Sequence, residues 1–148
     1  MLNLLRLRGF APFVVVVFLN AFVDLGHKIV VQNTIFKIYD GGTQIALTAI
    51  VNALILLPFV LLFTPAGFWS DRAPKPRVMR IAAWAAVGLT LLITACYQLG
   101  WFWPALVMTF LFGAQAAFYS PAKYGYIREL VGTAELTAAN GLIQAVST

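Results

Sequence analysis

Four apolar runs, each about 20 residues long and separated by short polar breaks, constrain this chain more than any other feature. They cover residues 10–32, 44–69, 78–99 and 104–120, and a further apolar helix opens over residues 135–148. At about 1.5 Å per residue, a run of ~20 helical residues crosses a hydrocarbon layer ~30 Å thick. The composition agrees, with 61% hydrophobic and 10% charged residues, where a soluble domain carries about 25% charged. So few charges could not coat a globule of this size. The expected fold class is all-α and integral to the membrane, with four transmembrane helices plus the start of a fifth.

The breaks support that division. The segment from Lys37 to Thr43 reads as a turn with Gly41 and Gly42 as helix breakers, and residues 70–77 form the most polar loop. Trp101 and Trp103 mark a membrane interface in a short aromatic turn, and the fourth run is expected to end at Pro121. Pro58 and Pro65 fall inside the second run, where a membrane helix tolerates them because neighbours re-satisfy the freed carbonyls. The first run is too long for a cleaved signal and carries Asp24, His27 and Lys28. No loop or terminator follows the last residues, so the chain reads as an N-terminal piece of something longer. Cys96 lies alone in an apolar run, where a small buried side chain is the simplest role.

The formal net charge is +5, low for a nucleic-acid binder, and the basic residues lie in short loops, so no nucleic-acid partner is expected. Their placement reads instead as topology. Arg6 and Arg8 precede the first helix; Arg72, Lys75, Arg77 and Arg80 flank the second break; Lys123 and Arg128 follow the fourth helix. Lys37 stands on the other side. Excess Lys and Arg in cytoplasmic loops then puts the N-terminus in the cytoplasm.

Polar residues inside the runs are the candidate functional groups. Asn20, Asp24, Lys28 and Gln32 recur every four residues on the first helix, with His27 beside them. Charges at membrane depth are costly and face a bundle interior or a water-filled cavity. Asp24 and Lys28 are spaced to pair. Two readings are open: a structural pair locking the helix to a neighbour, or a cavity-lining face that touches substrate or exchanges partners during transport. A proton relay through His27 is a further option. On the fourth helix Gln115, Tyr119 and Lys123 share the same spacing, and Gly113, Ala114, Ala116 and Ala117 permit close helix approach. Lys123 reads either as a topology anchor or as a cation at the cytoplasmic mouth that meets a phosphate or closes a gate. The pattern includes no metal-ligand cluster and implies no cofactor.

The loop Gly67-Phe-Trp-Ser-Asp71-Arg72-Ala-Pro-Lys75-Pro-Arg77 resembles the G-x-x-x-D-R-x-G-R-K loop of the major facilitator superfamily, with Pro74 and Pro76 as departures. That resemblance implies a glycine for tight helix contact and an acidic residue that helps latch the cytoplasmic side. Phe18-Leu-Asn-Ala-Phe-Val-Asp24, Tyr119-Ser-Pro-Ala-Lys-Tyr-Gly125, Glu129-Leu130 and Ala139-Asn140-Gly141 are more narrowly similar to the bacterial lysophospholipid transporter family. The resemblance implies a partial N-terminal six-helix half of a non-enzymatic transporter in the bacterial inner membrane. Its cargo would be a lysophospholipid such as lysophosphatidylethanolamine, flipped for re-acylation. Asp24 would then face the headgroup ammonium, and Lys28 or Lys123 the phosphate. Leu25, Gly26, His27 and Lys28 depart from the stand-alone members and point to the variant fused to acyltransferase and acyl-ACP synthetase domains.

Three rival readings remain. A different small solute would leave the Ser-Pro-Ala-Lys-Tyr-Gly string unexplained. A membrane-bound acyltransferase would want a His-x4-Asp pair, but Gln32 stands where the aspartate should follow His27. A third rival is a membrane anchor for downstream enzyme domains.

Overall fold

A computed structural model describes Leu4 and residues 7–147 of the chain; Arg6 and Thr148 lie outside the described residues. Among these, the chain forms five α-helices: α1 Phe10–Ile38, α2 Gly41–Arg72, α3 Lys75–Gln98, α4 Phe102–Val131 and α5 Leu136–Ser147. The first four are long and apolar enough to cross a membrane. Their lipid-facing character is visible in what they leave outside: Phe22, Val60, Phe63 and Trp84 are each at least 65% exposed. An apolar surface on this scale is stable in hydrocarbon and not in water. The chain is therefore an all-helical, multi-pass membrane protein.

The helices run further than the apolar runs that announce them. Gly41 and Gly42 open α2 rather than breaking the chain, and the break is at Tyr39 and Asp40. Gly41 enters the helix from a left-handed backbone angle, φ 59°, that favours glycine. The polar loop contracts to Ala73 and Pro74, so Asp71 and Arg72 sit in the last turn of α2, and Lys75 and Arg77 in the first of α3. Nor does Pro121 end α4, which continues for ten residues to Val131. Charge tolerates the headgroup region, so a hydropathy boundary marks where the hydrocarbon stops and not where the helix does.

α4 is the central element, packed most extensively on α2 and α3. Small residues let it approach so closely. A methyl group placed on Gly113 would lie 2.9 Å from Cγ of Pro58 and 3.0 Å from the Ile55 carbonyl oxygen. Pro58 has no N–H to give the Leu54 carbonyl, and that oxygen would be 3.4 Å from the same methyl. The proline and the glycine therefore form one close crossing. Gly113→Val should destabilise the purified, detergent-solubilised protein by about 1–3 kcal/mol, the usual effect of overpacking. An unchanged thermal midpoint would show that α2 can move aside at no cost.

Two apolar cores lie at opposite ends of the bundle. Phe10, Phe13 and Val17 of α1 meet Val78, Met79 and Ala82 of α3, Ala122 and Ile127 of α4, and Ala139 and Ile143 of α5. At the other end Val31 and Ile35 pack with Leu47, Val51 and Leu106. Between the two, α1 and α4 place their polar side chains.

Candidate functional site: a polar layer between two apolar cores

Successive members of a four-residue repeat on an α-helix advance 400°, so a stripe of them winds by about 40° per step. Over the span from Asn20 to Gln32 that amounts to about 120°, enough to face two different neighbours. Asn20 turns to α4, its side-chain oxygen accepting from Gln115 Nε2 at 3.1 Å. Gln32 turns to α2, donating to Thr48 Oγ1 at 2.8 Å. The four residues thus face two different neighbours.

Between these two contacts lies the charged pair. Lys28 Nζ donates to Asp24 Oδ2 at 2.7 Å, and both side chains are half-buried. They line a small crevice of ≈ 40 Å³ with His27, Ile55, Phe59, Thr109, Phe112, Gly113 and Ala116. His27 is buried, 3.0 Å from Thr109 Oγ1 through Nε2, with its ring stacked on Phe112. Thr109 and Phe112 fall off the four-residue stripe of α4, which is why sequence periodicity overlooked them. Only the polarity of Thr109 in an apolar run could have flagged it.

α4 winds in the same sense. Gln115 faces α1, and Lys123 two steps later faces α5, with Nζ 3.4 Å from Ser147 Oγ and 4.8 Å from the Tyr124 ring centre. Lys123 is buried, and among the described residues no carboxylate pairs with it. Tyr119 is buried as well, its hydroxyl without a hydrogen-bond partner among the described residues. Tyr124 donates to Gln144 Oε1 at 2.8 Å, a second polar tie between α4 and α5.

Two distant parts of the sequence meet at the end of the bundle that holds the α2–α3 junction. Lys75 Nζ lies 2.9 Å from Glu129 Oε1. Gly125 makes room for this pair, since a methyl there would strike the Lys75 stem at Cε. With Glu129 half exposed, the pair contributes at most about 1 kcal/mol; its value lies in fixing which residues face each other. The rest of the motif does not converge. Arg72 stacks on Phe68 of its own helix, 3.8 Å from the ring centre. Asp71 and Arg77 are exposed and unpaired among the described residues. Among the described residues, nothing lies within 4 Å of a methyl placed on Gly67.

A polar layer of this kind, held between apolar helices at membrane depth, faces a bundle interior or a water-filled cavity. Comparison with known proteins narrows the class. The chain is 35% identical over 141 residues to the lysophospholipid transporter LplT of Photorhabdus laumondii, 38% over 145 residues to that of Escherichia coli strain SE11, and 34% over 140 residues to that of Klebsiella pneumoniae strain MGH 78578. Each match takes in 93% of this chain and 32% of the relative. The chain spans about a third of the length of these curated relatives. No protein-family model and no solved structure matches it.

Proposed function

We propose that this chain is part of the N-terminal six-helix half of a major facilitator transporter that flips lysophospholipids across the bacterial inner membrane for re-acylation. The inward-turned polar layer between two apolar cores is the observation that carries the reading. A lipid headgroup crossing hydrocarbon needs ions to replace its water, and its acyl chain needs an apolar flank. The Asp24–Lys28 pair offers ions of both signs at mid-depth, and Lys123 offers a buried cation nearer the end that holds the α2–α3 junction.

Depth separates these two places. Lys123 lies ten residues beyond Gly113, the level of the pair, or about 15 Å along α4. An ethanolamine phosphate has only two carbons between its phosphate oxygen and its nitrogen, far too short to touch both. Asp24 and Lys123 therefore act as successive stations, and Lys28 is the cation that shares a headgroup with Asp24. Lys75 with Glu129 orders the cytoplasmic end.

An acyltransferase centred on His27 has less support, because its Nε2 and its ring face already serve contacts with Thr109 and Phe112. The departures at Leu25–Lys28 favour the variant fused to acyltransferase and acyl-ACP synthetase domains, which would receive the lipid on the cytoplasmic side.

The orientation can be tested directly. Single cysteines at Gly42 and at Gly100 should react with an impermeant thiol reagent added to intact spheroplasts, and one at Pro76 should react only after lysis. Labelling at Pro76 from outside would overturn both the topology and the latch role of the α2–α3 junction. Uptake of labelled lysophosphatidylethanolamine into vesicles holding the complete protein tests the activity; background uptake would refute it.

A further inference from the structure

We infer that the open seam between α1 and α3 is the seat of a further transmembrane helix of the complete chain, and that this helix brings a hydrogen-bonding side chain to His27 and Tyr97. The inference rests on one part of the reading above, that further membrane-spanning helices follow.

The seam is built like one half of a helix–helix interface. α3 lines it with Ala86, Thr90 and Thr94 at four-residue spacing, and α1 with Val16, Val23 and Gly26. Small residues in that pattern let a neighbouring backbone come close. The two threonine hydroxyls already bond to the Ala86 and Thr90 carbonyls of their own helix. Three adjoining cavities of ≈ 310, 270 and 240 Å³ follow one another along the seam, the first and second sharing Val87 and the second and third Thr90. They reach from Arg80 to Tyr97. That is about 26 Å along α3, nearly the full hydrocarbon depth of ~30 Å.

Lipid chains could coat such a groove, but two polar atoms argue for protein. Nδ1 of His27 and the Tyr97 hydroxyl are shielded from solvent, and neither has a hydrogen-bond partner among the described residues. His27 is only 7% exposed, and its other ring nitrogen is engaged by Thr109. Both residues line the ≈ 240 Å³ cavity, so a group entering it reaches them after a side-chain rotation. An acyl chain can satisfy neither, and an orphaned polar group at membrane depth is costly. A side-chain amide carries donors and an acceptor. One Asn or Gln can therefore meet the Tyr97 hydroxyl and either tautomer of His27. α5 is not the occupant, because it packs on α1 and α4 and none of its described residues lines these cavities. The relatives are about three times as long as this chain, which leaves length for a later helix to fill the seam.

The test is photo-crosslinking in the complete protein, in native membranes. A diazirine side chain at Val87, and separately at Thr94, should link within the same chain to residues beyond Thr148. Mass spectrometry of the digest should place both links on one helical segment. Links to phospholipid, or to a second copy of the chain, would overturn the seat. Tyr97→Phe tests the polar contact. Deleting a bonded hydroxyl should lower the thermal midpoint of the complete, purified protein, whereas deleting an orphan leaves it unchanged or raises it. An unchanged or higher midpoint would overturn the contact. Lysophospholipid uptake measured alongside keeps the two readings apart. Links to lipid with normal uptake would overturn the seat alone, and background uptake with the internal links in place would refute transport alone.

Discussion

Lysophosphatidylethanolamine uptake should fall to background in Asp24→Ala, with the amount of protein in the membrane unchanged. The substitution removes the carboxylate that holds Lys28 at 2.7 Å and leaves an unpaired cation in the polar layer. Removing one partner of a buried pair commonly costs several kcal/mol, and one partly open to a crevice costs less. The four spans do not depend on it, because the two apolar cores that clamp the layer lie above and below. Insertion should therefore survive where transport does not. A charge exchange, Asp24→Lys with Lys28→Asp, separates the two roles. Recovered uptake would favour a structural pair whose ions can trade places, and failure with normal insertion would favour a headgroup contact of fixed direction. Normal uptake in Asp24→Ala alone would remove Asp24 from the mechanism.

The number of spans and the spacing of charges were legible in the sequence because both follow from chemistry along the chain. Hydrocarbon thickness fixes run length, and four-residue spacing fixes that Asp24 can reach Lys28. What periodicity could not supply was the neighbour each residue faces. A four-residue stripe winds around its helix, so Asn20 and Gln32 bond to different helices. Partners off the stripe, such as Thr109 for His27, depend on how α1 crosses α4, which is set by side chains far apart in sequence. Helix ends were misplaced for a related reason. Hydropathy falls where the chain enters the headgroup region, while backbone hydrogen bonds continue past Pro121 to Val131. The α2–α3 motif illustrates the same limit from another side. Its glycine reads as a contact point, yet among the described residues nothing lies close to Gly67, while Gly125, the last residue of the Tyr119–Gly125 string, is where a lysine stem lies close.

Lys123→Gln should reduce uptake strongly with normal insertion, and Lys123→Arg should retain part of it. A topology anchor would extend to the membrane surface, as a long basic side chain does when free to snorkel. Lys123 is instead buried beside α5, its ammonium near Ser147 and the Tyr124 ring, with no carboxylate against it among the described residues. A hydroxyl and a ring face compensate a buried cation poorly, so the site favours an arriving anion, whether a lipid phosphate or a carboxylate of the gate. Glutamine keeps a donor and similar bulk but removes the charge, so its effect reports on charge and not on packing. Arginine keeps the charge but presents it as a planar fork rather than a point, and a pocket shaped around an ammonium accepts it only in part. Arg128, exposed one turn further on, remains to satisfy the positive-inside bias in either variant. The measurement is lysophospholipid uptake per inserted protein, with cysteine labelling at Pro76 as the check on orientation. Equal uptake for wild type and Lys123→Gln would leave Lys123 no part in binding or gating; inverted labelling in the glutamine variant would restore the anchor.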